Sequence, residues 1–385
     1  MKRATLAQSK FRTLLAHWRL FRSFAFATII AAALAGSAAP QNHSPDGPTN
    51  RTEILFLGTS QGPPLRAERS EPSTLLIVDH RPYLIDCGIG TMRRLLEAGV
   101  ASENIKTIFL THLHADHDLG LADVMANDFN RLSSAGSTES IHIYGPPQTK
   151  ELADAAFRYI TFGFTAFAAE RGTSFRLVHG EFNSPFIAHE IQDGGLVYQD
   201  DRIRIIAVEN THYLLMPAES RKHMKSYSYR IETPQGAIVF TGDTGPSDAV
   251  TRLANRADVL LTEVHDSSQT GAFMNRMVTK QGWSSGQAAW FAAHARREHL
   301  DEKEVGEMAS HAQVKAVVLY EYNPIDPAQF VATVKKYFSG AVFASADLER
   351  YCLENAEAGG AEKQPVLRLC GKASINQGNG ASGTR

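Results

Sequence analysis

Three histidines and two aspartates occupy seven consecutive positions within "TIFLTHLHADHDLGLADVM", residues 107–125: His112, His114, Asp116, His117 and Asp118. Neutral imidazoles and carboxylates are ligands for zinc and similar ions. The cluster follows an apolar run, so these side chains leave a strand end and a loop, where a rigid scaffold can aim several groups at one place. Alternation sends His112 and His114 to one side. The turn that follows lets Asp116 and His117 serve a second point nearby. Chance rarely brings four such ligands to this spacing in a polar loop, and the stretch predicts a metal site.

The rest of the chain reads as alternating elements able to hold such a site. "TEILFLGTS" is a strand ending in a Gly turn, and "STLLIVDHRPYLIDCG" a hairpin split at "DHRP". "TMRRLLEAGV" has helical spacing and ends on Gly99. "NIKTIFLTH" and "ESIHIYGPP" are strands and "KELADAAFRYITFGF" is a helix. "DRIRIIAVENTH", "SYSYRIETPQGAIVFTGDTG" and "ADVLLTEVHD" add further strands. "SSGQAAWFAAHARRE" and "DEKEVGEMASHA" are helices, the second with Asp301 available as N-cap. "VKAVVLYEYNP", the helix "DPAQFVATVKKYF" and a last strand "GAVFASADLERYCL" complete the pattern. Hairpins followed by alternation with helices predict a layered α/β sandwich.

The two ends stand apart. Residues 1–22 carry Lys2, Arg3, Lys10, Arg12, Arg19 and Arg22 and no acid, ahead of "SFAFATIIAAALAGSAAP". That is the order of a secretory signal, with an apolar core short for a membrane span, so residues 1–38 are expected to be removed on export to a periplasmic or extracellular location. Residues 39–50, "APQNHSPDGPTN", form a linker, and residues 354–385 read as a largely disordered tail. The full chain has 39 Lys+Arg against 41 Asp+Glu, and loss of the six leading bases leaves 33 against 41. That acidity argues against nucleic acid as partner, which leaves a small-molecule substrate as the expectation. No stable membrane insertion is expected after cleavage, and a homodimer is left open. Cys87 is expected to be a buried thiol, while Cys352 and Cys370 are either a disulfide or packing residues.

"THLHADH" and the motifs that follow resemble the metallo-β-lactamase superfamily over residues 51–353. The resemblance implies a four-layer αββα sandwich with a binuclear site on the rim between two sheets. It implies His112 and His114 on a first divalent ion, Asp116 and His117 on a second, His212 in "VENTHY" as third ligand of the first, and Asp243 in "FTGDTG" bridging both. Asp86 in "LIDCG" would support the site without ligating. Within the superfamily, the ribonuclease Z-like, phosphodiesterase and arylsulfatase branch fits best. That branch ends a strand in Leu-Thr-His, whereas here "VVLYEYNP" carries Glu321. Either Glu321 coordinates, which shifts a zinc site towards manganese or iron, or it points away and one ion binds. His299 resembles the histidine that this branch places near the leaving group; a plain helix-start role is the alternative.

The implied activity is hydrolysis by a metal-bridging hydroxide, with Asp116 and His299 as catalytic groups, on phosphodiester or sulfate and phosphate ester substrates. A lactonase or promiscuous β-lactamase of the same fold, using Tyr213 or Tyr320, is one alternative. A non-enzymatic metal-binding protein is another. Only 30 positions separate His212 from Asp243, which leaves no room there for the long tRNA-gripping arm of related bacterial enzymes. His142, His265, His294 and His311 read as structural or surface residues, and His223 as a loop residue near substrate.

Overall fold

The computed structural model describes residues 51–62, 64–135, 139–170, 184–322, 326–356 and 364–373. The expected signal segment and the expected linker, residues 1–50, lie outside them.

The strands of the first half are β1 (Arg51–Gly58), β2 (Ser73–Val78), β3 (Arg81–Ile85), β4 (Thr107–Phe109), β5 (Ile141–Gly145), β6 (Phe186–Glu190) and β7 (Gly195–Gln199). They are followed by β8 (Arg204–Glu209), β9 (Tyr227–Thr233), β10 (Gly236–Phe240), β11 (Val259–Glu263), β12 (Ala316–Glu321), β13 (Ala341–Ala344), β14 (Glu349–Ala356) and β15 (Gln364–Lys372). Two sheets face each other. The first has eight strands in the order β15-β14-β1-β2-β3-β4-β5-β6, and the second has seven in the order β13-β12-β11-β10-β9-β8-β7.

Period-2 alternation divides each strand between two cores. In β1, Ile54 and Phe56 enter the layer between the sheets, and Leu55 and Leu57 enter the layer under helices. In β12, Val318 and Tyr320 face the other sheet, while Val317 and Leu319 face the helices on the far side. The outer helices are Thr91–Glu97, Leu121–Ala135 and Thr149–Glu170 on the first sheet, and Asp248–Leu253, Glu302–His311 and Pro327–Val334 on the second. The architecture is the expected αββα sandwich.

Local chemistry explains the joints. The β2–β3 turn has Asp79 and His80 both at positive φ (47 and 63), the backbone of a tight hairpin turn that follows the strands' twist. Asp301 accepts from Glu304 N while the Glu304 side chain accepts from Asp301 N, so the expected cap is a full capping box.

Two expectations at the C-terminal end need correction. "GAVFASADLERYCL" is not one strand. Its first part, β13, joins the second sheet, and its last part begins β14 in the first. The break lies at Asp347, whose Oδ1 accepts from Thr59 Oγ1 at 2.7 Å, followed by Leu348 at φ 69. Within the tail expected to be largely disordered from residue 354, Gln364–Lys372 forms β15, antiparallel to β14. The reason is the partner edge together with a Cys352–Cys370 disulfide; Cys87 is a buried free thiol, as expected. The link closes a sequence separation of 18 residues, so Cys352→Ser/Cys370→Ser is expected to lower stability by about 3 kcal/mol, measured by urea unfolding under non-reducing conditions. Equal midpoints for variant and wild type would show that the link does not tie β15 to the fold.

Candidate metal centre

Strand direction gathers the site. β10, β11 and β12 run parallel, as do β3 and β4, so their C-terminal ends share a rim. Asp86 follows β3, His112 follows β4, His212 follows β8 and Asp243 follows β10, while Glu263 and Glu321 end β11 and β12. The β11–β12 register shifts at the last step, pairing Glu263 with Glu321, and such an irregularity re-aims a side chain at a sheet rim. His114 is the N-cap of the single helical turn Ala115–Asp118, which carries Asp116 and His117.

Two sets of ligand atoms result. His112, His114 and His212 form one, with His212 Nε2 3.0 Å from His114 Nδ1. Asp116, His117 and Glu321 form the other, with His117 Nε2 3.9 Å from Asp116 Oδ2 and 3.7 Å from Glu321 Oε1. Asp243 stands between them. Its Oδ1 lies 3.5 Å from His117 Nε2, and its Oδ2 lies 4.0 Å from His112 Nε2 and 3.8 Å from His212 Nε2. Buried polar atoms are normally hydrogen-bonded. Yet His112 Nε2, His117 Nε2, Asp243 Oδ1 and both Glu321 carboxylate oxygens are buried with no hydrogen-bond partner. Five orphaned atoms, all of ligand type and shared out over the two sets and Asp243, fit divalent ions.

The surroundings hold these rings still. Asp86 Oδ2 meets His117 Nδ1 at 2.9 Å, and its Oδ1 accepts from Thr111 N at 2.8 Å. It does so from φ 55, a sparsely populated backbone state for a non-glycine residue. His112 Nδ1 is 3.0 Å from Thr111 Oγ1, and His212 Nδ1 is 3.0 Å from Glu298 O. Such contacts hold the outer nitrogen and turn the other one into the cluster. Gly62 lets Asp116 approach, since a Cβ there would lie 2.1 Å from Asp116 Oδ2.

The expected residues are thus brought together, Glu321 and His299 included. His299 Nδ1 is 2.7 Å from Glu263 Oε2 and 3.9 Å from Asp243 Oδ2. Sequence reasoning misses Glu263. It is fully buried, and its Oε1 accepts from Thr244 N at 2.8 Å; its signal is an acid ending an apolar strand, as in "FTGD". His294 is no mere surface residue: its Nε2 is 3.2 Å from His299 Nε2, and its Nδ1 is 2.6 Å from Glu298 Oε2. His223 is exposed, and His265 bonds Thr270 Oγ1. Tyr320 lies in the inter-sheet core, whereas Tyr213 packs its ring 5.2 Å from that of His114.

Burial, then the carboxylates of Glu321 and Glu263, pushes Asp243 well above the usual carboxylate range. Burial does the same to Glu263 and also raises Glu321. Burial and neighbouring imidazoles hold His112 and His212 well below their ordinary range. For His117 burial works downwards, but Asp243, Glu321 and Asp86 outweigh it and the ring is raised. Raised groups bind more protons folded than unfolded, so their stabilisation is lost as pH climbs through the folded value. The lowered imidazoles oppose this only up to their ordinary 6.5. Above that pH the chelator-treated protein is expected to melt at steadily lower temperature, and saturating divalent ion is expected to flatten the slope. Calorimetry from pH 6.5 upwards checks this; a slope unaltered by metal would separate the cluster from metal binding.

A profile described as a Beta-lactamase superfamily domain matches residues 81–320. A ribonuclease Z from Mycobacterium bovis (strain BCG / Pasteur 1173P2) is 28% identical over 306 residues, covering 77% of this chain and 97% of that protein. Human tRNase Z, short form, aligns with TM-score 0.52 and 19% identity over 77% of this chain and 98% of its own. The metallo-beta-lactamase fold protein YhfI from Bacillus subtilis aligns with TM-score 0.55 and 16% identity over 78% and 99%. The ribonuclease Z relatives overturn the expectation that nucleic acid is not a partner. Net charge averages over a whole surface and does not exclude a local basic face. With profile, relatives and a cluster suited to divalent metal in agreement, the chain belongs to the beta-lactamase superfamily and is a hydrolase of its ribonuclease Z-like branch.

Proposed function

We propose that the protein is a phosphodiesterase that uses two divalent ions and acts on phosphodiester bonds of the kind nucleic acids carry. The observation that carries this is Asp243, which turns one oxygen towards His117 and the other towards His112 and His212. One carboxylate serving two ligand sets is what a shared pair of ions requires. The relatives named ribonuclease Z support a phosphodiester as the bond attacked.

Two such ions, when bound, lower the pKa of water to near ~7 and polarise a phosphoryl oxygen. The chain's own groups supply the rest. Asp116, beside His117 and facing Gly62, accepts a hydrogen bond from the attacking water and orients it. Glu263, whose carboxyl burial keeps protonated, fixes the His299 ring through Nδ1. Burial and His294 lower His299 to about 3, so the ring passes that proton on to the departing oxygen rather than storing a charge itself. A shallow crevice lined by Leu113, Pro146, Pro147, Tyr213, Met224 and Lys225 adjoins the cluster through Tyr213, whose ring packs against His114. The carboxylate Glu321 in the second set favours manganese or iron there more than an imidazole would.

We also propose export. The basic, apolar, small-residue order of residues 1–38 supports it, and a disulfide suits an oxidising compartment. Mass spectrometry of the native chain should find residues 1–38 missing; an intact N-terminus on cytoplasmic protein would contradict this.

A panel of bis-p-nitrophenyl phosphate, an aryl sulfate, a homoserine lactone and nitrocefin tests the main reading. Turnover is expected chiefly with the phosphodiester. A dominant lactone or lactam activity would overturn the reading, and turnover of none of them would favour a metal-binding protein without catalysis.

A further inference from the structure

Between Glu263 and His299, both in the site, the chain inserts two helices, Ser267–Gln281 and Ser285–Arg297. They turn on Gly282 at φ 71, and Ser284 with Gln287 forms a capping box on the second. Phe273, Trp283 and Phe291 hold the pair together, with ring centroids 5.0–6.2 Å apart. In the second helix only Ala292 and Ala295, near its C-terminal end, are buried. The hairpin therefore stands out from the sandwich with its base against the cluster.

Its surface differs from the rest of the chain. Ser267–Arg297 contains Arg276, Lys280, Arg296 and Arg297 and no Asp or Glu, in a chain whose acids outnumber its bases 41 to 39. All four cations are exposed. Arg276 and Lys280 are one turn apart on the same helix face. The two arginines at the base also suit a helix C-terminus; that does not account for the pair further out or for the missing acids. Trp290 is 59% exposed, and its ring lies parallel to His294, at 4° and 5.3 Å between centroids. His294 in turn is 3.2 Å from His299. An exposed indole, a histidine and the metal cluster thus follow one another in space.

We propose that this hairpin is a docking arm for single-stranded nucleic acid, an inference that rests on the phosphodiesterase reading above. Phosphates contact Arg276, Lys280, Arg296 and Arg297, and a base stacks on Trp290, which leads the neighbouring phosphodiester to the cluster. Cations that follow a strand, together with an aromatic face, are how proteins hold single strands without reading sequence. The arm lies between Glu263 and His299, away from the His212–Asp243 interval.

The test is fluorescence anisotropy of short labelled single-stranded RNA and DNA on the full chain with chelator present, so that binding is read without cleavage. Trp290→Ala is expected to weaken binding by about tenfold or more, the effect typical of one stacked base. Arg276→Ala/Lys280→Ala is expected to reduce the slope of log affinity against log salt by roughly 1.4, about 0.7 for each phosphate no longer neutralised. Lys150→Ala, on the helix Thr149–Glu170, serves as the control for unspecific charge loss and should change neither. Wild-type affinity and slope in both hairpin variants would overturn the arm, as would no binding by the wild type. Equal Trp290-dependent binding to anionic lipid vesicles would assign the hairpin to a membrane surface and overturn it too. Bis-p-nitrophenyl phosphate turnover by the metal-loaded wild type is read in parallel. Turnover with no hairpin effect removes the arm alone, whereas absence of turnover removes the underlying reading.

Discussion

Asp243→Asn is expected to lower kcat/KM on a phosphodiester by roughly a thousandfold while the protein stays folded. The size follows from the several kcal/mol that a metal pair contributes to a developing charge, at about 1.4 kcal/mol per decade of rate. Asn keeps the shape of Asp and loses its charge, so it cannot draw two cations together. The carboxylate sits buried between His117, His112 and His212, with Oδ1 unpartnered, and among the described residues no other side chain offers one oxygen to each set. Stability should move the other way. Burial and the neighbouring Glu321 and Glu263 disfavour the charged form of Asp243, so the neutral amide relieves repulsion in the metal-free protein. The melting temperature measured in chelator is therefore expected to be equal or higher. His114→Ala should give a similar drop in activity in a protein that stays folded, because His114 belongs to the first ligand set, makes no cap hydrogen bond and is half-buried. Full turnover in either variant would remove these residues from the site.

The second large effect concerns Glu321. It is fully buried, both of its oxygens lack hydrogen-bond partners, and it lies 3.7 Å from His117 Nε2. Glu321→Ala is expected to lose one ion selectively and leave the ion held by His112, His114 and His212, with plasma emission reading a fall from two ions per chain to one. Glu321→His supplies the imidazole that the resemblance of this strand to Leu-Thr-His implies. An imidazole brings one negative charge less than a carboxylate, so the water at the site should become more acidic. The acid limb of the pH-rate profile is then expected to move down and zinc at the second position to tighten. Two tightly held ions in Glu321→Ala, with unaltered kinetics, would make Glu321 a bystander.

Much of this was legible because it is local. The alternation in Ile54–Leu57 already divides one strand between two cores, and "THLHADH" places four ligands within one strand end and one turn. His212, Asp243 and Glu321 are legible through their order behind that motif. Glu263 is not, since an acid after "LLT" looks like any strand end; its place depends on β11 lying between β10 and β12, which is a non-local fact. His294 is hidden for a similar reason. It reaches His299 only because a helix ends and the chain reverses between them. The split at Asp347 is hidden because "GAVFASADLERYCL" is continuously strand-like, while the hydrogen bond that breaks it comes from Thr59, 288 residues away. The argument from net charge fails on another ground: it sums over a chain whose Ser267–Arg297 stretch carries only bases.

We propose that Asp243 would hold two ions together and that both would be needed for phosphodiester hydrolysis. Titrating manganese or zinc into chelator-stripped protein, while following both binding by calorimetry and bis-p-nitrophenyl phosphate hydrolysis, tests it most directly. The account expects two binding events per chain, with turnover absent in the stripped protein and rising with occupancy of the second. Turnover that persists in the stripped protein, or that is complete with one ion bound, would contradict it.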